Sequence, residues 1–277
     1  MLNCRDGLVT LVTTHTADNV EHVFSPFVAV DIGNSAVKVA VYTADWDGAG
    51  LPQAVSTALL ESSEQTREFL RTLPTPIRWR ISSVHRGRHE ELTRLLNEHR
   101  PTDNVRTLTY RDLPLTLEVR APERVGLDRL AVCVAANALR EPERPAVVIS
   151  AGSAVTVNVI GSDGVFLGGA ILPGLRLGAR ALSSADLLPE VLWRESAEPP
   201  AAIGADTEAA IRSGLFWGTL GGVRELVTQI AQLHRRPQVF VTGGDLKRLA
   251  SLAADDAQFV PDMVLAGIAI ACMDETR

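Results

Sequence analysis

The sequence predicts an α/β protein made of two related domains, each opening on a β-hairpin with a glycine turn. Segments rich in β-branched residues alternate with segments whose apolar residues recur at helical spacing. One pattern also occurs twice. AVDIGNSAVKVAVY (29–42) and VISAGSAVTVNVI (148–160) share strand, glycine turn with small polar residues, and strand. Their glycines, Gly33 and Gly152, lie 119 residues apart, too far for a solenoid repeat and suited to a duplicated domain. A ligand between the two turns is the expectation that follows.

Along the chain, Phe27 to Val30 reads as a strand, Gly33, Asn34 and Ser35 as a turn, and Val37 to Tyr42 as the returning strand. Gly48 to Pro52 reads as a loop, 61–73 as a helix and Ile77 to Val84 as a strand. A helix is predicted near 89–99, where Leu92, Leu95 and Leu96 share a stripe. Leu130, Val134 and Ala138 mark another, entered through VRAPERVGLD. The Pro- and charge-rich EPERP at 141–145 is the expected boundary, giving domains over 27–144 and 145–277 after an extension over 1–26. Beyond it come a strand, the second glycine turn, a strand, a turn at Ser162 to Gly164 and a third apolar segment. Leu175 to Leu188 reads as a helix ended by Pro189, and 206–234 as a long helix with Ile211, Leu215, Val223, Leu226, Ile230 and Leu233 on one face. QVFVTGGDLKRL reads as strand, glycine turn and helix start, and Met263 to Cys272 as the last helix.

Composition narrows the function. Of 277 residues, 46% are hydrophobic and 22% charged, which excludes a disordered or fibrous chain. The net charge is −6 and Lys and Arg form no long block, so no nucleic-acid groove is expected. Cys4, Cys133 and Cys272 are far apart and read as reduced thiols of a cytoplasmic protein. No segment has the length of a membrane span, and the first 26 residues lack a basic region followed by an apolar stretch. His85 and His89 stand four apart with no carboxylate or cysteine to complete a metal site, and Asp255 and Asp256 read as a solvated loop.

The segment Asp31, Ile32, Gly33, Asn34, Ser35, Ala36, Val37, Lys38 holds what a nucleotide phosphate needs. Gly33 allows close backbone approach, successive N–H groups at 33–35 can form an anion nest, and Ser35 can donate a hydrogen bond. Asp31 suits Mg2+, bound directly or through water, because a carboxylate and a bare phosphate repel. Lys38 can reach the phosphates or face solvent. This is not a P-loop, which needs GK[ST] and a following helix. Gly126-Leu127-Asp128-Arg129 stands before a helix. Asp128 can cap that helix or accept a proton from a substrate hydroxyl. Arg129 can grip a carboxylate or steady phosphate charge. Ser153 and Thr156 bring hydroxyls to the second turn, and GGAILPG (168–174) and TGGD (242–245) add glycines at strand ends.

In their order, DIGNSAVK (31–38), SSV (82–84), GLDR (126–129), AGSAVT (151–156), GGAILPG (168–174), Thr207 and TGG (242–244) resemble the type III pantothenate kinases. The resemblance spans about residues 27–267. It implies a two-domain actin-like ATPase (ribonuclease H-like) fold with duplicated mixed-sheet domains. It implies ATP-dependent phosphorylation of pantothenate, the first step of coenzyme A synthesis, with residues 31–38 and Ser153 at ATP. Asp128 would be the general base, and Gly126, Leu127, Asp128, Arg129 and Thr207 would meet pantothenate. A homodimer, Mg2+ and a monovalent cation, potassium or ammonium, are implied as well.

Three positions depart from the family pattern. Ser150 replaces the aspartate that binds the monovalent cation, Asn158 replaces a second aspartate, and Val119 stands where a substrate-side tyrosine is usual. These leave two other readings open: a non-catalytic kinase-like regulatory protein, and a kinase of another small hydroxylated acid or amide.

Overall fold

Two five-stranded sheets repeat one topology in the computed structural model, which describes residues 26–34, 36–43, 45–193, 198–244, 254 and 256–274. The first sheet holds β1 (Phe27–Ile32), β2 (Val37–Tyr42), β3 (Ala54–Leu60), β4 (Arg78–Ser83) and β5 (Asn104–Thr107), in the order β3-β2-β1-β4-β5. The second holds β6 (Ala146–Ala151), β7 (Ala154–Ile160), β8 (Phe166–Pro173), β9 (Gln238–Thr242) and β10 (Gln258–Phe259), in the order β10-β9-β6-β7-β8. In each, three antiparallel strands are followed by two parallel ones. The duplication read from the two hairpins therefore extends over whole sheets.

Among the described residues, six α-helices fill the layers: α1 (Ser63–Thr72), α2 (Arg86–His99), α3 (Leu127–Leu139), α4 (Leu175–Leu182), α5 (Thr207–Leu233) and α6 (Met263–Asp274). Strand alternation decides what each covers. Val28, Val30, Ile32, Trp79 and Ile81 face Leu70 of α1 and Leu92, Leu95 and Leu96 of α2. Phe27 and Ala29 point the other way, onto Ala131 of α3 and Leu265, Ile268 and Ala269 of α6. Val148, Ile160 and Phe240 of the second sheet cover the same two helices, through Leu130, Val134, Ala266 and Ile270. Its outer face, Ile149, Val157, Val239 and Val241, carries Leu175 of α4 and Phe216, Leu220 and Val223 of α5. α3 and α6 are thus shared between the sheets, and α5 lies on the far side of the second.

Several helix starts are set by side chains. Ser62 Oγ accepts from the Gln65 N–H at 3.2 Å, and Asp206 from the Ala209 N–H at 2.8 Å. His85 Nδ1 accepts from the Arg88 N–H at 3.2 Å, which makes this histidine a helix cap. The helix read over Leu175 to Leu188 stops at Leu182. There Ser183 and Ser184 turn their hydroxyls back onto the carbonyls of Arg180 and Ala181 and compete with the helical ladder. β3, β5 and β10 were not legible as strands: β3 and β5 face largely outward and β10 is two residues long. Of the sequence expectations, the extension before Pro26, Cys4, Ser35, Asp255 and the helix start after Gly244 lie outside the described residues.

One polar knot anchors β4, whose end enters the site. Asp103 accepts from the Ile77 N–H at 3.0 Å, Trp79 Nε1 at 2.9 Å and Arg100 Nε at 2.8 Å. Arg100 also donates to the carbonyls of Leu70, Leu73 and Pro74. Burial alone would raise the pKa of Asp103, but these donors outweigh it and hold the carboxyl below its usual range. Replacing Asp103 with Ala leaves a buried guanidinium without its carboxylate. It should lower stability by about 3–5 kcal/mol, read as a lower urea midpoint at pH 7. A shift under about 1 kcal/mol would show the pair to be dispensable.

Candidate functional site

The alternation that buries Phe27 and Ala29 against α3 and α6 puts Asp31 on that same face, at the end of β1. Its antiparallel partner in register is Lys38 and its parallel partner is Ser82, so the three share one row. Lys38 is exposed, whereas Ser82 is 1% exposed and its Oγ has no partner among the described residues. Ile32 and Val37 turn their side chains into the α1/α2 core, which leaves only their backbone at the turn.

The turn closes on itself through the Gly33 N–H, which donates to the Ala36 carbonyl at 3.0 Å. That donor is therefore committed, and the anion nest expected over 33–35 is reduced by one group. The second turn closes the same way but one residue shorter, with the Gly152 N–H donating to the Ala154 carbonyl at 3.0 Å. Ser150 stands where Asp31 stands in the first sheet, with Thr156 and Thr242 as its register partners. Gly243, at φ +105°, lies against this turn, and a Cβ there would come 2.0 Å from the Ala151 carbonyl oxygen. The Ser153 carbonyl accepts from the Gly174 N–H at 3.2 Å, so three glycine-bearing segments pack backbone against backbone.

Between the rows stands the start of α3. Gly126 is its N-cap and Asp128 its second residue. The backbone N–H groups of Arg129 and of Asp128 itself lie close to the Asp128 carboxylate. Those contacts lower its pKa, but burial is the larger influence and leaves it raised above the ordinary carboxylate value. A Cβ on Gly126 would fall 2.5 Å from Asp128 Oδ1 and 3.8 Å from Val84 Cγ1. Glycine there lets the carboxylate fold over the helix start beside the SSV segment. Leu127 packs into the core, so its backbone alone is free to meet a ligand.

Asp31 and Asp128 interact directly through their charges. Burial, then the Asp128 charge, push Asp31 up to about 7, and Lys38 opposes them. A carboxylate held this way is stabilised by a cation. Beside it lie the unpartnered Ser82 hydroxyl and the backbone turn, so the residues present suit a divalent ion carried with phosphate groups. No group of three or more His, Cys, Asp or Glu that could hold a metal occurs among the described residues, so the phosphates would supply ligands too.

Arg129 ties this loop to the second sheet. Its Nε donates to Asn158 Oδ1 at 2.7 Å, and its guanidinium lies 5.8 Å from the centre of the Phe166 ring. Asn158 in turn donates to Thr156 Oγ1 at 3.1 Å. A cavity of about 640 Å³ opens on the segment leading into this loop, lined by Leu117, Glu118, Val119, Arg120 and Leu167. The structure therefore brings together Asp31, Lys38, Gly126, Asp128 and Arg129, and joins them to the second turn. It does not bring Thr207 to them within one chain. Thr207 opens α5, exposed, on the opposite layer of the second sheet from α3. The part of Ser82 was missed because it depends on the parallel register of β1 with β4, and a serine at a strand end gives no sign of its neighbour.

The architecture is the two-domain actin-like ATPase fold with duplicated mixed sheets. Solved structures share it at low identity. A Campylobacter jejuni protein provisionally assigned to the Baf family of transcriptional activators matches with a TM-score of 0.55 and 21% identity, covering 90% of this chain and 99% of that one. A Listeria monocytogenes protein provisionally assigned as an N-acetylmannosamine kinase matches at 0.50 and 13%, covering 91% and 100%.

A family model described as type III pantothenate kinase matches residues 27–229. Relatives bearing that name include one from Rhodopirellula baltica, 35% identical over 79% of this chain and 87% of its own. Another, from Alkalilimnicola ehrlichii, is 34% identical over 87% and 95%. The chain belongs to the type III pantothenate kinase family.

Proposed function

We propose that this chain transfers the γ-phosphoryl group of ATP to the primary hydroxyl of pantothenate, the first step of coenzyme A synthesis. The observation that carries this is the charge interaction of Asp31 and Asp128, two buried carboxyls with raised pKa values that come from different elements. One suits the cation that accompanies ATP and the other suits a proton acceptor. The segment from Asp31 to Lys38 holds the phosphates, with Ser153 and the glycine turn packed against Gly174 and Gly243 on the other side of ATP. Mg2+ at Asp31, directly or through water, would neutralise charge on the phosphates. Asp128 takes the proton of the pantothenate hydroxyl as its oxygen bonds to the γ-phosphorus. The bond from that phosphorus to the oxygen bridging it to the β-phosphate breaks, and ADP leaves. Arg129 holds the pantothenate carboxylate, and the backbone of Gly126 and Leu127 lines the acceptor.

Thr207 completes this site from a second copy of the chain, which gives a homodimer. Its exposed place on the far layer, which also exposes Trp217 of the same helix, supports that arrangement. The domain division lies between residues 144 and 145, and the reaction belongs to the cytoplasm. No helix among the described residues is long and apolar enough to cross a membrane. A monovalent cation at Ser150 does not fit well. Ser150, Thr156 and Thr242 offer hydroxyl oxygens and no carboxylate.

The test is ADP release from ATP, Mg2+ and pantothenate, in sodium, potassium and ammonium salts. Turnover is expected in all three, with little difference among them. No pantothenate-dependent ADP in any salt would overturn the proposal, and strong stimulation by potassium would overturn the view of Ser150.

A further inference from the structure

We propose that Ser82 is a positioning residue for Asp31: its hydroxyl donates to that carboxylate when the cation carried by ATP is bound, and so fixes which carboxylate oxygen faces the ion. This rests on the reading of Asp31 as the group that meets Mg2+.

Ser82 is 1% exposed, near the end of β4, and its Oγ has no partner among the described residues. No other buried hydroxyl among those residues is in that condition. Thr66 and Ser213 are buried too, but Thr66 Oγ1 donates to the Ser62 carbonyl at 2.9 Å and Ser213 Oγ to the Ala202 carbonyl at 2.8 Å. An unpaired buried hydroxyl lowers stability, and alanine would remove that loss at nearly the same size. The hydroxyl is therefore explained by a partner that it meets during function.

Register decides which partner is within reach. β1 and β4 run in parallel, about 4.8 Å apart, and set Ser82 beside Asp31 on the face covered by α3 and α6. On the other side of Ser82 the chain continues from β5 into Leu108, whose N–H donates to the Ile81 carbonyl and whose side chain is buried and apolar. Lys38, beyond Asp31 in the same row, has no acceptor to offer. Asp31 is thus the side-chain acceptor in the row, and rotation about the Cα–Cβ bond turns the serine hydroxyl toward it. The charges explain why the donor is neutral. Asp31 is buried and feels the negative charge of Asp128. A cation draws one oxygen of the Asp31 carboxylate to itself and leaves the other in a buried place. A hydroxyl satisfies that second oxygen without a positive charge to repel the cation. Groups that hold a metal's ligands in this way contribute about 10–100-fold to metal affinity.

The test compares the wild type with Ser82→Ala, which removes the hydroxyl, and Ser82→Thr, which restores it. ADP is titrated calorimetrically over a range of Mg2+ concentrations and in EDTA. Turnover is followed against Mg2+, and melting curves without ligand follow the fold. In Ser82→Ala, the Mg2+ concentration at half-effect should rise about tenfold or more in binding and in turnover, with kcat at saturating Mg2+ changed far less. Its melting temperature should match or exceed that of the wild type, and its affinity for ADP in EDTA should stay within about twofold. Ser82→Thr should return the Mg2+ response toward that of the wild type. Should threonine not fit, as a fall in its melting temperature would show, the alanine variant alone decides. An unchanged Mg2+ response in Ser82→Ala, an equal loss of ADP affinity in EDTA, or a melting temperature well below the wild type would each overturn the assignment. A wild type whose ADP binding ignores Mg2+ would sink the reading of Asp31 as well. A wild type that binds ADP with Mg2+ but does not turn over pantothenate would sink the pantothenate reading and leave the binding measurements to decide this one.

Discussion

Replacing Asp128 with Asn should lower pantothenate-dependent turnover by about 10²–10⁴-fold, the usual contribution of a positioned general base. The substitution keeps size and shape, and the amide oxygen can still face the N–H groups at the start of α3. The fold should therefore remain, with a melting temperature close to that of the wild type. What is lost is the basic oxygen. Its raised pKa matters because an unperturbed carboxylate is a weak base for an alcohol, and burial at the helix start strengthens it. Single-turnover measurements with saturating ATP and pantothenate would separate loss of chemistry from loss of binding. Turnover within a few-fold of the wild type would reject Asp128 as the base and leave it as a helix cap.

Replacing Asp31 with Asn should remove the Mg2+-dependent step and, without ligand, stabilise the protein at alkaline pH. Asp31 titrates at 3.8 unperturbed and at about 7 in the fold, so the folded state binds its proton more tightly than the unfolded state. Its contribution to stability is complete below 3.8 and is lost as pH rises through about 7. The amide has no proton to lose. The gain over the wild type should thus be near zero at pH 4 and reach on the order of 4 kcal/mol above pH 8. Urea unfolding of both proteins across that range measures it. Added Mg2+ and ATP should protect the wild type and not the variant. Parallel stability curves for the two proteins would show that Asp31 carries no such penalty. The expected trade, a less stable fold for a cation-ready carboxylate, is common where a site needs an uncompensated charge.

Much of the fold was legible because local patterns and global arrangement agree. The hairpin at Asp31 to Lys38 and its echo at Ser150 to Thr156 both fold as read, and they anchor sheets of the same topology. The elements that escaped were those whose burial comes from one side only or hardly at all. β5 exposes all four of its residues, and β3 most of its seven, so neither bears a clear alternation. The helix read to Leu188 went too far because its apolar spacing continues past Ser183 and Ser184, which end it with side-chain bonds to the preceding turn.

The site divides along the same line. The sequence by itself determined the chemistry available: a carboxylate and a lysine on either side of a glycine turn, a second carboxylate followed by an arginine at a helix start, and a second turn with hydroxyls in place of a carboxylate. Residue types and short spacings are local properties, and they were enough to place Asp31, Asp128 and Arg129 as candidates. Only the tertiary structure decided which of them meet. Parallel pairing of β1 with β4 put Ser82 beside Asp31, and the packing of α3 between the sheets brought Asp128 within reach of the Asp31 charge. The same packing gave Arg129 its acceptor on Asn158, while α5 carried Thr207 to the opposite layer. These contacts join residues far apart in the chain, and their energies depend on burial and register, which no short stretch of sequence contains.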